Sequence, residues 1–182
     1  MPTYAYVLLA VGTLLWMAPF LLMKRNSEAP LIVNPRARWG ILLVMVAYSI
    51  LGQSAFWARP LNSWRLALSI VFFALAALLS WTGAHALGRQ WRVDAGLNKD
   101  HKLIRSGPYR LVRHPIYTSM LCFLFGIGFL ITPPLLLLLS LVVFMIGTEI
   151  RVRIEDALLA SQFGEQFQEY KRSVPAYIPF LK

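Results

Sequence analysis

The stretch Ile116-Tyr-Thr-Ser-Met-Leu-Cys-Phe-Leu-Phe-Gly-Ile-Gly-Phe-Leu-Ile-Thr-Pro-Pro-Leu-Leu-Leu-Leu-Leu-Ser-Leu-Val-Val-Phe-Met-Ile-Gly-Thr148 carries no charged residue. It is too long for one membrane crossing, which takes about 20 residues. At its middle stands Pro133-Pro134. A proline pair inside a helix removes backbone donors and clashes with the preceding turn. The expected structure is therefore two helices, 116–132 and 135–155, doubling back as a Pro-Pro hairpin.

Toward the N-terminus, three further apolar runs occupy 3–23, 39–58 and 66–88, each of spanning length. The chain thus reads as an all-α integral membrane protein with five transmembrane helices. Its 58% hydrophobic composition over 182 residues agrees. The first run has no basic segment before it and Lys24-Arg25 after it, the pattern of an uncleaved span rather than a signal peptide.

Charge supplies an independent test. Of the 18 Lys and Arg, only Arg59 and Arg65 fall in the connections after the second and fourth spans. The others, with all 8 acidic residues, lie in the 24–38 loop, the 89–115 loop and the tail beyond 148. Cytoplasmic segments attract Lys and Arg, so the N-terminus is expected outside and the C-terminus inside. Five crossings reproduce the asymmetry; four or six break it. The net charge of +10 suits contact with anionic membrane lipid. No basic stripe with interleaved aromatics marks a nucleic-acid surface. The lone Cys122 excludes an internal disulfide, and His85, His101 and His114 are too scattered for a zinc motif.

The chain is expected to be one domain, 1–182, with 1–88 as three scaffold spans and 89–182 holding the polar chemistry. After the hairpin, Leu158, Leu159, Phe163, Phe167 and Tyr170 recur at helical spacing, and Gln162, Glu165, Gln166, Glu169 and Lys171 take the other face. This predicts a C-terminal amphipathic cytoplasmic helix that ends at Pro175.

Chemistry concentrates in 106–119, where Tyr109, Arg110, Arg113, His114 and Tyr117 meet the start of the fourth span. Arg151 and Glu155, four apart, share a helix face near the end of the fifth. Each has two readings. Arg151 and Glu155 form either an exposed pair at a helix end or an inward pair facing 101–117. His114 either caps a helix or acts chemically. Tyr109 and Tyr117 are either interfacial belt residues or site residues. Arg89, Arg92, Lys99 and Lys102 suit headgroup contact. Phosphate loops, dinucleotide glycine fingerprints and serine nucleophile elbows are absent.

The order of these elements is similar to a known family. His101-Lys-Leu-Ile-Arg-Ser-Gly-Pro-Tyr-Arg-Leu-Val-Arg-His-Pro-Ile-Tyr, then Arg151-x-x-x-Glu155, then Phe163-Gly164-x-x-Phe167-x-x-Tyr170 and Val174-Pro175-x-x-Ile178-Pro179-Phe180, resembles the isoprenylcysteine carboxyl methyltransferases. The related membrane phospholipid N-methyltransferases share much of this half. The resemblance implies S-adenosylmethionine as methyl donor, becoming S-adenosylhomocysteine. It implies cofactor contacts from His101, Lys102, Leu103, Ile104, Tyr109, His114, Pro115, Ile116, Tyr117 and Glu155, and a substrate-side role for Arg151, with Arg151 and Glu155 as the catalytic pair. It also implies a lipophilic or prenylated acceptor arriving from the bilayer through a lateral opening. Two positions depart from the family pattern: Ser119 replaces a frequent Gly, and Arg153-Ile154-Glu155-Asp156 replaces a denser acidic run. A carboxylate acceptor is the leading expectation, with a phospholipid amine or a small thiol as alternatives. A nicotinamide-dependent sterol-type reductase and a non-enzymatic lipid-binding scaffold are more distant ones. The oligomeric state stays open.

Overall fold

A computed structural model describes residues 2–23, 32–53, 61–92, 96–97 and 101–178. Lys99, Pro179, Phe180 and the end of the second apolar run lie outside the described residues. Within them the protein is helical: α1 (Thr3–Leu22), α2 (Ala37–Leu51), α3 (Ser63–Leu87), α4 (Pro115–Ile131), α5 (Pro134–Phe163) and α6 (Glu165–Ser173). Two short strands, β1 (Ile32–Val33) and β2 (Gly96–Leu97), pair antiparallel and tie the α1–α2 and α3–α4 connections together.

Among the described residues, three helices are long and apolar enough to cross a membrane: α1, α3 with the single turn that extends it to Gln90, and α5. α2 and α4 are apolar but shorter, at 15 and 17 residues. The outer surface is correspondingly greasy. Leu14, Leu21, Trp39, Met45, Leu78 and Leu135 are all more than half exposed, a surface that water would not tolerate at this extent.

Between α4 and α5, Thr132 and Pro133 are extended, and Pro134 opens α5 at its first position, where its missing N–H costs nothing. Arg65 seals the preceding helix end. Its guanidinium donates to the carbonyls of Phe129 (2.9 Å), Gly128 (3.3 Å) and Thr132 (2.7 Å). A cation at a helix C-terminus satisfies the last carbonyls and complements the dipole.

α3 packs along α4, α2 along α5, and α1 on α3. Small residues set the distances. A Cβ on Gly40 would lie 2.6 Å from the Gly147 carbonyl, and one on Gly147 would lie 2.8 Å from the Gly40 carbonyl. α2 and α5 therefore touch backbone to backbone. Gly126 receives the ring of Phe73, and Gly128 receives Leu137, so the α4 glycines serve contacts within the chain. Ser69 and Ser140 add buried hydroxyl bonds between helices, to the carbonyls of Gly126 (2.7 Å) and Ala47 (2.8 Å).

One expectation needs correction. The C-terminal helical pattern is not a single helix that ends at Pro175. α5 runs on through Leu158 and Leu159 to Phe163, Gly164 breaks it at φ +52°, and α6 restarts at Glu165. That backbone conformation suits glycine and strains other residues. α6 buries Phe167 and Tyr170 and ends at Ser173, its C-cap being Val174.

Candidate active site

Two dipeptides of opposite charge face each other. Arg113-His114 leads into α4, and Glu155-Asp156 lies on α5. Asp156 Oδ2 accepts from Arg113 (2.9 Å) and from Lys171 Nζ (3.2 Å), and its Oδ1 pairs with His114 Nε2 (2.9 Å). His114 Nδ1 lies 3.4 Å from Glu155 Oε2. The other Glu155 oxygen accepts from the Tyr117 hydroxyl and from Arg151 (2.9 Å). Arg151 also donates from Nε to the Tyr117 hydroxyl, and its guanidinium carbon lies 5.7 Å from that ring's centroid.

Arg151 and Asp156 are each 5% exposed and His114 is 7% exposed. These values decide between the two readings: Arg151 and Glu155 form an inward pair. Tyr109 and Tyr117 are buried as well, so neither is a belt residue. The His114 side chain makes no capping bond to α4. Burial alone would lower its pKa, but the hydrogen bonds and charges of Asp156 and Glu155 more than offset this and raise it, favouring the imidazolium. His101 goes the other way. Burial, reinforced by the charge of Arg92, lowers its pKa and favours the neutral ring.

The start of α4 is held from behind by the chain that follows α6. The amides of Arg113 and His114 donate to the carbonyls of Pro175 and Ala176, both at 2.8 Å. Thr118 Oγ1 donates to the Tyr177 carbonyl (2.7 Å), and Arg113 reaches the Val174 carbonyl. The Tyr170 hydroxyl donates to the Tyr109 carbonyl, and the Tyr177 hydroxyl to Glu149 (3.0 Å).

One side of this cluster borders a cavity of about 650 Å³, within the range that holds a cofactor-sized molecule. His101, Tyr109, His114, Ile116, Tyr117, Arg151 and Glu155 all line it. Lys102, Leu103, Ile104 and Pro115 are not among its lining residues. Lys102 is exposed and its amide meets the Gln90 side chain, while Pro115 is buried against α3 beside Gly83. Leu21 and Met45 line the cavity and are also 71% and 62% exposed, so it opens onto the apolar outer surface between α1 and α2.

Arg113 and Asp156 pair in this buried cluster, a pairing that spacing alone does not single out. Their signal is the complementarity of two adjacent cations with two adjacent anions forty positions apart in the chain, which only the fold brings together. The α1 and α2 lining residues are apolar and give no chemical signal at all.

Comparison with known proteins converges on the same region. The family described as phospholipid methyltransferase matches residues 64–166, more than half of the chain. The chain belongs to the phospholipid methyltransferase family. Among relatives, the protein-S-isoprenylcysteine O-methyltransferase of Schizosaccharomyces pombe is 30% identical over 164 residues, covering 81% of this chain and 69% of that one. A cobalt-zinc-cadmium resistance protein of Cupriavidus metallidurans is 32% identical over 148 residues, covering 79% and 62%. Protein-S-isoprenylcysteine O-methyltransferase B of Arabidopsis thaliana is 27% identical over 162 residues, covering 87% and 81%. Membership makes this protein a membrane methyltransferase and sets aside the reductase and scaffold readings.

The site suits the methyl donor the family implies. His101 lines the cavity, and its buried Nδ1 meets no hydrogen-bond partner among the described residues. A neutral imidazole there offers a partner to an amine or a hydroxyl. Glu155 lines the same space, with 23% of its side chain exposed. One end of the cavity is thus polar and the other apolar.

Proposed function

We propose that this protein transfers a methyl group from S-adenosylmethionine to a carboxylate on a lipophilic, isoprenylcysteine-like acceptor. The observation that carries the reading is Arg151. Its buried guanidinium stands where the polar wall of the cavity meets the apolar wall, tied to Tyr117 and Glu155. The names of the yeast and plant relatives point to the same acceptor.

Bound S-adenosylmethionine supplies a methyl group activated by its sulfonium. Glu155 complements that positive charge or the ammonium of the amino-acid head. His101, with 102–104 beside it, holds the polar parts of the cofactor, and Tyr109, His114, Pro115, Ile116 and Tyr117 form and support the adjoining wall. Arg151 presents its forked N–H groups to the acceptor carboxylate, a geometry lysine does not reproduce. A carboxylate is already ionised, so this acceptor needs no general base. The apolar walls exclude water, and alignment for in-line attack supplies much of the rate, through effective molarities of about 10⁵ M or more.

The same reading places five crossings in the membrane, with α2 and α4 as the short ones joined to their partners through 54–60 and the Pro133-Pro134 turn. The N-terminus is outside, and the site and C-terminus are cytoplasmic. The charge asymmetry supports this, as does the β1–β2 pairing that holds two basic loops at one end of the bundle.

The test is transfer of labelled methyl by the purified protein in detergent, offered a prenylated cysteine carboxylate, an ethanolamine phospholipid and a small thiol in parallel. Label in a base-labile ester is the expected result. Label on nitrogen or sulfur replaces the proposed acceptor. Arg151→Ala is expected to cost turnover about tenfold or more, on the scale of a buried charged hydrogen bond, with a smaller loss of cofactor affinity.

A further inference from the structure

The apolar end of the cavity has a floor. Among the helices that line the cavity, α1, α2 and α4 each contribute an aromatic at their outermost lining position: Trp16 on α1, Tyr48 on α2 and Phe123 on α4. The three side chains form one packed unit. The Trp16 and Phe123 rings stack at 4.4 Å with 8° between planes, and Tyr48 lies 5.8 Å from Phe123. Two hydrogen bonds fix the unit in place. Trp16 Nε1 donates to Ser119 Oγ (3.2 Å), and the Tyr48 hydroxyl donates to the Met120 carbonyl (2.7 Å). Beneath them the space is filled. Phe73 meets Phe123 at 5.6 Å and is seated against Gly12 and Gly126.

We infer that this aromatic floor sets the length of acceptor tail the enzyme accepts, an inference that rests on the lipophilic acceptor proposed above. Tyr117 and Phe123 are six positions apart on α4, a rise of about 9 Å. A tail whose head meets Arg151 descends that far before reaching the Phe123 ring, which is wedged between Trp16 and Phe73, with Trp16 and Tyr48 anchored by their hydrogen bonds. A longer tail must buckle or leave between α1 and α2. Added hydrocarbon that does not fit a pocket is discriminated by about tenfold or more per group.

The experiment uses the full chain and a homologous series of carboxylates whose tails grow by one isoprene unit, each with a photoreactive diazirine at the tail end. Crosslinks are mapped by mass spectrometry for native protein, Trp16→Leu and Phe123→Leu, with retained S-adenosylmethionine binding as the check on folding. The expected result is labelling of the floor residues that peaks at one tail length in the native protein and moves to a longer tail in the variants. Tail-end labels spread along the α1–α2 opening at every length, or an unchanged peak in both folded variants, would overturn the inference. Crosslinking reads occupancy and needs no turnover. Normal tail-length selection without methyl ester formation would therefore defeat the proposed reaction and leave the floor standing.

Discussion

Asp156 is the residue on which the most depends. It answers Arg113, His114 and Lys171 at once, and its side chain is 6% exposed. Removing one partner of a buried charge cluster strands the others and costs about 3–5 kcal/mol. Asp156→Ala is expected to lower stability by that order in thermal unfolding of the detergent-solubilised protein. Lys171→Ala removes a partner that is 48% exposed, and the expected change is at most about 1 kcal/mol. His114 adds a pH dependence. Its pKa is raised in the folded state by Asp156 and Glu155 against the opposing effect of burial. Its contribution is thus complete below the ordinary histidine range and is lost as pH rises through the raised value. Melting temperature is expected to fall across that window, and His114→Asn to flatten the fall. An unchanged slope in the variant would place the titrating group elsewhere.

The α2–α5 contact governs where Arg151 stands. A Cβ on Gly40 would meet the Arg151 Cγ at 2.6 Å as well as the Gly147 carbonyl. Gly40→Ala therefore pushes on the helix and on the arginine together. Overpacking of this kind costs about 1–3 kcal/mol, and turnover should drop further than cofactor affinity. At Gly164 a Cβ meets nothing within 4 Å, and only the positive φ resists it. At φ 52° and ψ −125°, a conformation side-chain-bearing residues rarely adopt, Gly164→Ala is expected to cost about 1–3 kcal/mol, visible as a lower melting temperature with the kinetics retained. The helices themselves were legible in the sequence because apolar runs and a proline pair are local signals. The break at Gly164 was not. Leu158, Leu159, Phe163, Phe167 and Tyr170 keep helical spacing across it, and one glycine in a helical pattern is as compatible with continuity as with a stop. The pairing of α2 with α5 was also out of reach, since every apolar helix offers similar faces to its neighbours.

For the molecule as a whole, the site is assembled from segments remote in sequence, and 174–177 serves as its outer strap. Spacing left the placement of Arg151, Glu155 and His114 open between an exposed and an inward reading, and their burial together is the inward one, where charged groups near an apolar run face one another. The pairing of Arg113 with Asp156 needed the fold, since Arg113 lies in the loop before α4 and Asp156 on α5. A chain shortened to end at Ser173 is expected to retain α1–α5 by circular dichroism yet lose S-adenosylmethionine binding in equilibrium titration. Intact binding would mean the strap is dispensable. The strap also gives the protein an order of events during biosynthesis. Val174 leaves the ribosome 61 residues after Arg113, the residue it holds. At that stage α1 to α5 have already been made. A nascent chain can therefore occupy the bilayer with its charged groups still unclamped, and activity arrives as a late step of maturation, separate from insertion.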